Sequence, residues 1–336
     1  MPSSKEGYEE MRFIQIEDYD HTTMQLARPI YDRQKRILLA AGRTIHPKYL
    51  ERIKQMNIST LIVEDAESHG ITMDELLDMP TWMDAIEVVQ KAYDLARQGK
   101  PLNVFDLQVT INKIILEVIR RKTIFLIPSS SVSEELKPYA HSVNVTLLAL
   151  QTSKTLGYSN SQQRDLAMGS LLHDIGKVAG KDETLHPKKG FEIIRNNREI
   201  SLLSAHVAFQ HHERYDGSGY PRKLSSSEIL EYPQICAVSN LYEHLVSSRK
   251  ALPHLALEMI MSKNGIDFDP KIVQAFIESI PSYIPGAKVR LNNGQEAIVT
   301  RIKNNLHRPF VRLKSTGEEV DLSENLSMLI SEIFSY

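Results

Sequence analysis

"LLHDIGK" (residues 171–177) and "HHERYDGSGYPRK" (211–223) decide how this chain is read. The first sets a histidine beside an aspartate at the end of an apolar run, followed by a glycine and a lysine. His173 can bind one cation while the Asp174 carboxylate bridges two. Gly176 lets the backbone turn closely, and Lys177 leaves a fixed positive charge one turn on, where a phosphate oxygen on the cations would meet it. The second stretch brings two adjacent histidines, His211 and His212. About 100° apart around a helix axis, they are both ligands only if they serve different ions or different edges of one cluster. Two cations roughly 4 Å apart, holding a bridging hydroxide for in-line attack on phosphorus, meet that condition.

The placement of the other histidines supports a metal centre. Six of twelve (His141, His173, His186, His206, His211 and His212) fall between residues 141 and 212, where an even spread would put about two or three. His206, on an apolar face, reads as a satisfied core residue. His21, His46, His69, His254 and His307 read as surface or turn residues. Taken alone, Lys177 would be a helix C-terminal charge and "DGSGYP" an ordinary Gly–Pro turn with Tyr220 packed in it. The combination of HD-x-x-K, HH-E and an upstream H-S argues for metal.

"HDIGK" followed by "HHERYDGSGYP" resembles the HD-GYP family, a branch of the HD-domain metal-dependent phosphohydrolases, over roughly residues 136–280. The resemblance implies an all-helical core, two or three iron or manganese ions, and hydrolysis of the bacterial messenger cyclic di-GMP to linear pGpG and, on a second cut, GMP. Carried over by motif, the ligands are His141 of "YAHS", His173, Asp174, His186 of "LHPKKG", His211 and His212. Asp174 bridges the ions and Lys177 contacts the substrate phosphate. The loop from Asp216 to Pro221, with Gly219 and Tyr220, shapes the pocket rim. Arg214, Arg222 and Lys223 form a local cationic patch.

Three departures bear on that assignment. Lys137 stands where the family often has a glutamate four residues before the first histidine; a cation there repels a third ion, so two divalent ions are expected. Asp174 and His186 are only twelve positions apart, which shortens an active-site loop. In "AVSNLYEHL" (237–245), Asn240 replaces a metal-binding aspartate, and a neutral amide oxygen is the weaker ligand. His244, one helical turn on, is a candidate to complete the site, alone or with Glu243; its plainer reading is a polar face residue. Asn240 also keeps an alternative function in view: a degenerate module that binds cyclic di-GMP or a partner protein without turnover. A third reading keeps the hydrolysis and changes the cyclic dinucleotide.

Composition limits the other classes. A formal charge of −2 over 336 residues predicts no general affinity for DNA, RNA or anionic lipid. The single Cys236 excludes a disulfide framework and fits a reducing cytosol. "MPSSKEGYEEMRF" lacks the apolar stretch of a signal peptide, and no run of about 18 apolar residues predicts a membrane span. A cytoplasmic protein is expected.

The pattern along the chain predicts a mainly α protein with β-rich ends. Residues 1–70 read as a small β-rich domain, with strands in "MRFIQI", "QLARPIYD", "ILLAAG" and "STLIVED" and a helix in "HPKYLERIKQMN". Residues 71–128 read as a helical hairpin or linker, broken at Gly99–Pro101, and equally as a packing extension or a stalk for a homodimer. Its inward faces are Leu76, Met79, Met83, Ile86, Val89 and Tyr93, then Leu107, Ile111, Ile114, Ile115 and Val118. The helical phosphohydrolase core spans 129–281, with Ser133 as a candidate cap. Residues 282–336 alternate apolar and polar residues around N-N-G and T-G turns, predicting a small β-barrel-like domain.

Overall fold

The computed structural model of the chain describes residues 10–32, 34–180, 182–303 and 305–335. Most of the stretch read for a leader peptide, residues 1–9, lies outside them. Two compact units form: one from residues 77–129 and 136–280, the other from the remaining segments up to 76, 130–135 and from 281 onward.

In the helical unit, α2 (Met79–Arg97) starts at Asp78, whose side chain accepts from the Thr81 amide at 2.9 Å. (The chain's first helix, α1, belongs to the other unit and is given below.) The predicted face of α2 is buried, together with Trp82. After the Gly99–Pro101 break, α3 (Val104–Arg120) is capped by Asn103 and buries its own predicted face. At the centre lies α4 (Lys137–Thr155), buried almost all round from Tyr139 to Ser153. A helix in that position must hide its polar groups: Thr146 Oγ1 donates to the Ser142 carbonyl at 2.8 Å, and Thr152 Oγ1 to Leu148 at 2.9 Å. Around α4 pack α2, α5 (Asn160–Leu171), α8 (Glu231–Glu243) and α10 (Pro270–Ser279). α6 (His186–Arg195) and α7 (Leu202–Gln210) lie against each other, α9 (Pro253–Ser262) against α8, and a π-helical turn, His244–Ser248, prolongs α8. Ser133 caps nothing: α4 begins three residues later than that reading requires, its N-cap Leu136 offers no side-chain acceptor, and Ser133 Oγ is buried without a hydrogen-bond partner among the described residues.

The second unit joins both ends of the chain. β1 (Arg12–Gln15), β5 (Thr60–Glu64) and β2 (Gln25–Leu26) form an antiparallel sheet in the order β1-β5-β2, with Phe13 opposite Ile62. β3 (Ile30–Tyr31) and β4 (Ile37–Leu39) form a separate ribbon, and α1 (Pro47–Gln55) packs Ile53 into a core with Ile14, Ile16, Leu26, Ile45, Leu61 and Val63. The terminal segment folds as β6 (Lys288–Leu291), β7 (Glu296–Arg301), β8 (Phe310–Leu313), β9 (Glu319–Asp321) and β10 (Ile330–Ser335), ordered β10-β6-β7-β8-β9. Among the described residues β9 and β10 do not pair, so the expected barrel is instead an open antiparallel sheet. The two β regions, read from sequence as separate domains, share one unit. Arg12, 95% buried, pairs with Asp65 at 2.6 Å and with Glu67 at 2.8 Å, and Lys288 of β6 reaches the same Glu67 at 2.7 Å. No helix among the described residues is long and apolar enough to cross a membrane.

Candidate metal centre

α5 ends at Leu171, so His173 and Asp174 occupy the turn that follows and lead into a 3₁₀ turn, Ile175–Ala179. Gly176 is required there by close approach. A Cβ on it would stand 2.0 Å from the His186 carbonyl oxygen and 2.5 Å from the Gly190 amide nitrogen. The bare backbone lets the turn press onto the start of α6, which delivers His186 to Asp174. α7 ends at Gln210, so His211 and His212 also lie past a helix end. They are therefore not spread around a helix axis: their rings lie 4.1 Å apart, and both reach one group of ligand atoms.

The described residues hold two such groups. Asp174, His186, His211 and His212 form one, and His141, His173 and Asp174 the other; within each, the ligand atoms lie within 4.8 Å of one another. Asp174 is common to both.

Hydrogen bonds on the far side of three of the rings set the chemistry facing inward. Nδ1 of His173 lies 2.8 Å from the Ser170 carbonyl oxygen, Nδ1 of His186 2.6 Å from that of Glu183, and Nδ1 of His211 2.9 Å from that of Ala208. A carbonyl only accepts, so each Nδ1 carries the proton and each neutral ring turns an Nε2 lone pair inward. These lone pairs meet a carboxylate. His186 Nε2 is 3.3 Å and His211 Nε2 3.6 Å from Asp174 Oδ1, the two nitrogens are 3.3 Å apart, and His173 Nε2 is 3.5 Å from Asp174 Oδ2. His173 Nε2 and Asp174 Oδ1 are buried with no hydrogen-bond partner among the described residues. Acceptors packed against acceptors out of water are unfavourable unless a cation lies among them. The residues therefore fit divalent metal.

Ionisation agrees. Burial pushes His173 down to about 3 and His212 down to about 2, and also lowers His211, so these rings are neutral and able to ligate. Burial works to raise Asp174, yet the carboxyl is held well below its ordinary value, with the positive charge of Lys177 contributing. Lys177 Nζ donates to Asp174 Oδ2 at 2.5 Å while half of its side chain remains exposed.

His141 is oriented differently. Its Nδ1 meets Glu243 Oε2 at 2.5 Å, and Glu243 Oε1 accepts from Asn144 Nδ2 at 3.3 Å. Asn144 Oδ1 in turn accepts from Trp82 Nε1 at 3.0 Å. α2, α4 and α8 are thus tied to one imidazole. Sequence reasoning treated Glu243 only as a helper to His244 and passed over Asn144 and Trp82, because nothing in their local pattern points at a residue about a hundred positions away. His244 itself is exposed and belongs to neither group. Asn240 is partly buried on α8, one turn before Glu243.

Glu213 was also missed as a distinct functional residue. It is buried, and its two oxygens accept from the Arg222 amide at 2.7 Å and the Leu224 amide at 2.9 Å, clamping the loop that follows the histidines. Tyr220, joined to Pro221 by a cis peptide, stacks on His212 with ring centroids 4.6 Å apart and planes 12° apart. Gly219 allows this, since a Cβ would lie 2.4 Å from the Arg214 amide nitrogen and 2.5 Å from the His212 carbonyl oxygen. Asp216 is exposed and accepts from the Ser218 amide at 2.8 Å, so it shapes the turn. Arg214, Arg222 and Lys223 are exposed, with Arg214 Nε 3.9 Å from Asp267 Oδ1. His206 departs from the satisfied core residue expected: it packs against Phe191 at 5.1 Å, and its buried Nδ1 has no hydrogen-bond partner among the described residues.

Comparison with known proteins agrees with this geometry. Residues 126–272 match the family described as HD domain. The chain is 29% identical over 224 residues to the cyclic di-GMP phosphodiesterase PA4108 of Pseudomonas aeruginosa, covering 61% of this chain and 54% of that one. It is 27% identical over 220 residues to the 3'3'-cGAMP-specific phosphodiesterase 2 of Vibrio cholerae, covering 58% and 42%. The chain thus spans about half the length of these curated relatives. Among solved structures, Bd1817, a HDG"Y"P protein from Bdellovibrio bacteriovorus, superposes with a TM-score of 0.50 at 15% identity, over 79% of this chain and 98% of that one. At that identity the likeness speaks to the fold alone.

Proposed function

Residues 126–272 are an HD domain of the HD-GYP branch, and from that premise we propose that the chain is a metal-dependent phosphodiesterase that hydrolyses cyclic di-GMP to linear pGpG, with GMP as the product of a second cut. The observation that carries the proposal is the pair of ligand groups meeting at Asp174, with buried nitrogen and oxygen lone pairs turned on one another.

Two divalent ions, iron or manganese, suit the histidine–carboxylate set. His141 and His173 would hold one, His186, His211 and His212 the other, with Asp174 serving both and Asn240 adding a neutral oxygen. Such ions, when bound, turn water into a nucleophile and draw charge from a phosphodiester. The chain's own residues do the rest. The Nδ1 hydrogen bonds fix His141, His173, His186 and His211 in the ligating tautomer before substrate arrives. Lys177, anchored on Asp174 yet half exposed, places positive charge where non-bridging phosphate oxygens would gather. Arg214, Arg222 and Lys223 offer cations to the second phosphate of a cyclic dinucleotide. Tyr220, stacked on His212, ties that loop to the metal groups.

Elemental analysis of protein purified without oxygen, paired with turnover of cyclic di-GMP and of 3'3'-cGAMP on the same sample, tests this reading. About two metals per chain with turnover, both lost in His173→Ala, is the expected outcome. Bound but uncleaved cyclic di-GMP would sink the enzyme and leave a binding module, and preference for 3'3'-cGAMP would change the substrate.

A further inference from the structure

α3 is apolar on two faces. One is buried in the helical unit; the other carries Phe105 (71% exposed), Val109 (40%), Leu116 (54%) and Ile119 (47%), with the exposed Asn112, whose Oδ1 accepts from Arg164 Nε at 3.1 Å, between them. A surface helix ordinarily turns charged residues to water, so a second apolar stripe calls for a partner. Its spacing is specific: 105, 109, 112, 116 and 119 step by four, three, four and three, the a/d seam of a helix that pairs with another helix. A single polar residue in the middle of such a seam fixes its register.

We propose that this stripe is a homodimer interface in which α3 packs antiparallel against α3 of a second copy about a two-fold axis near Asn112. The charges select both the occupant and the direction. In the antiparallel pair Phe105 faces Ile119, Val109 faces Leu116, and Asn112 faces its own copy. Asp106, beside the seam at one end and accepting from Asn103 Nδ2 at 2.6 Å, then faces Arg120, beside it at the other and 3.1 Å from Glu117 of its own chain. In a parallel pair the edge that carries Asp106 and Arg120 would lie on opposite sides of the seam in the two copies, so neither charge would meet its opposite. The helix is self-complementary under a two-fold axis perpendicular to its length, as an isologous antiparallel dimer requires. Lys113 lies near the axis and would face its own copy, but it is more than half exposed and is 4.0 Å from Asp84 of its own chain, which offsets that repulsion. A helix of 17 residues is about 25 Å long, too short for a standard interface of ~800 Å² per partner, so the association is expected to be reversible and in the micromolar range.

Sedimentation velocity of the full chain from about 1 to about 200 µM tests the proposal. A reversible monomer–dimer equilibrium is expected, weakened at least about tenfold by Leu116→Glu, a change at an exposed position, with the unfolding temperature confirming that the variant is folded. Asp106→Arg alone weakens the dimer, and adding Arg120→Asp restores it. The direction is read by oxidation: Asn112→Cys, on the axis, crosslinks to its own copy, and Phe105→Cys does not. A chain that stays monomeric throughout overturns the proposal and leaves the stripe to another protein. A dimer indifferent to Leu116→Glu and Asp106→Arg overturns it in favour of another surface. Crosslinking at Phe105→Cys as readily as at Asn112→Cys overturns the antiparallel arrangement.

Discussion

Glu243 Oε2 lies 2.5 Å from His141 Nδ1, although 102 positions separate the two residues. The carboxylate is buried and held down to about 2: burial works against its charge, and the His141 ring more than compensates. His141 thus points its other nitrogen toward the His173–Asp174 group. Glu243→Gln keeps the shape and removes the charge, and carboxylate partners of ligating histidines typically contribute 10- to 100-fold in metal affinity. Titration of manganese into chelator-stripped protein should show that loss with the fold intact. Unchanged affinity would remove Glu243 from the site.

Gly176→Ala should be disproportionately harmful. The added methyl would meet the His186 carbonyl oxygen and the Gly190 amide, both backbone atoms that cannot swing aside. Either the turn moves away from α6 or α6 moves with His186. A loss of about 3–5 kcal/mol in denaturant unfolding is expected, with metal content falling alongside it. A stable variant with full metal content would show that the turn can move off α6 without cost.

Asn240 and His244 separate by their surroundings. Asn240 is partly buried one turn before Glu243, whereas His244 is exposed and outside both ligand groups. Asn240→Asp should tighten manganese binding, because a carboxylate replaces a neutral oxygen. His244→Ala should leave metal content as it was. Metal lost from His244→Ala would restore that histidine as a ligand.

Much of this was legible in the sequence because it is written in short-range patterns. The apolar period located the inward faces of α2 and α3, and the Gly99–Pro101 break marked the gap between them. His173, Asp174, His186, His211 and His212 were readable as candidates because each lies at or just past a helix end within a short motif of its own. Glu243, Asn144 and Trp82 were not, since their meaning arises only when α2, α4 and α8 pack. The same holds for Glu67 and Lys288: pairing between the two ends of the chain leaves no local trace, so two β regions read as separate domains lie in one unit. The barrel was over-read from alternation alone, which reports strands and not closure.

Asp65 links the stability of that unit to pH. Burial works to raise its pKa, but the Arg12 guanidinium outweighs it, donating from Nε at 3.1 Å and from Nη2 at 2.6 Å, and the carboxyl is held below its ordinary 3.8. A carboxyl lowered on folding stabilises at pH above its unfolded value, and that contribution is lost as pH falls through the folded one. Between pH 5 and 3, hydrogen exchange at the paired amides of β1 and β5 should therefore quicken relative to the helical unit. Asp65→Asn should already be less stable at pH 7, by about 3 kcal/mol, since it leaves a buried guanidinium short of a partner. It should also show a shallower pH dependence across that window. Equal slopes in the two proteins would assign the acid sensitivity to other carboxylates.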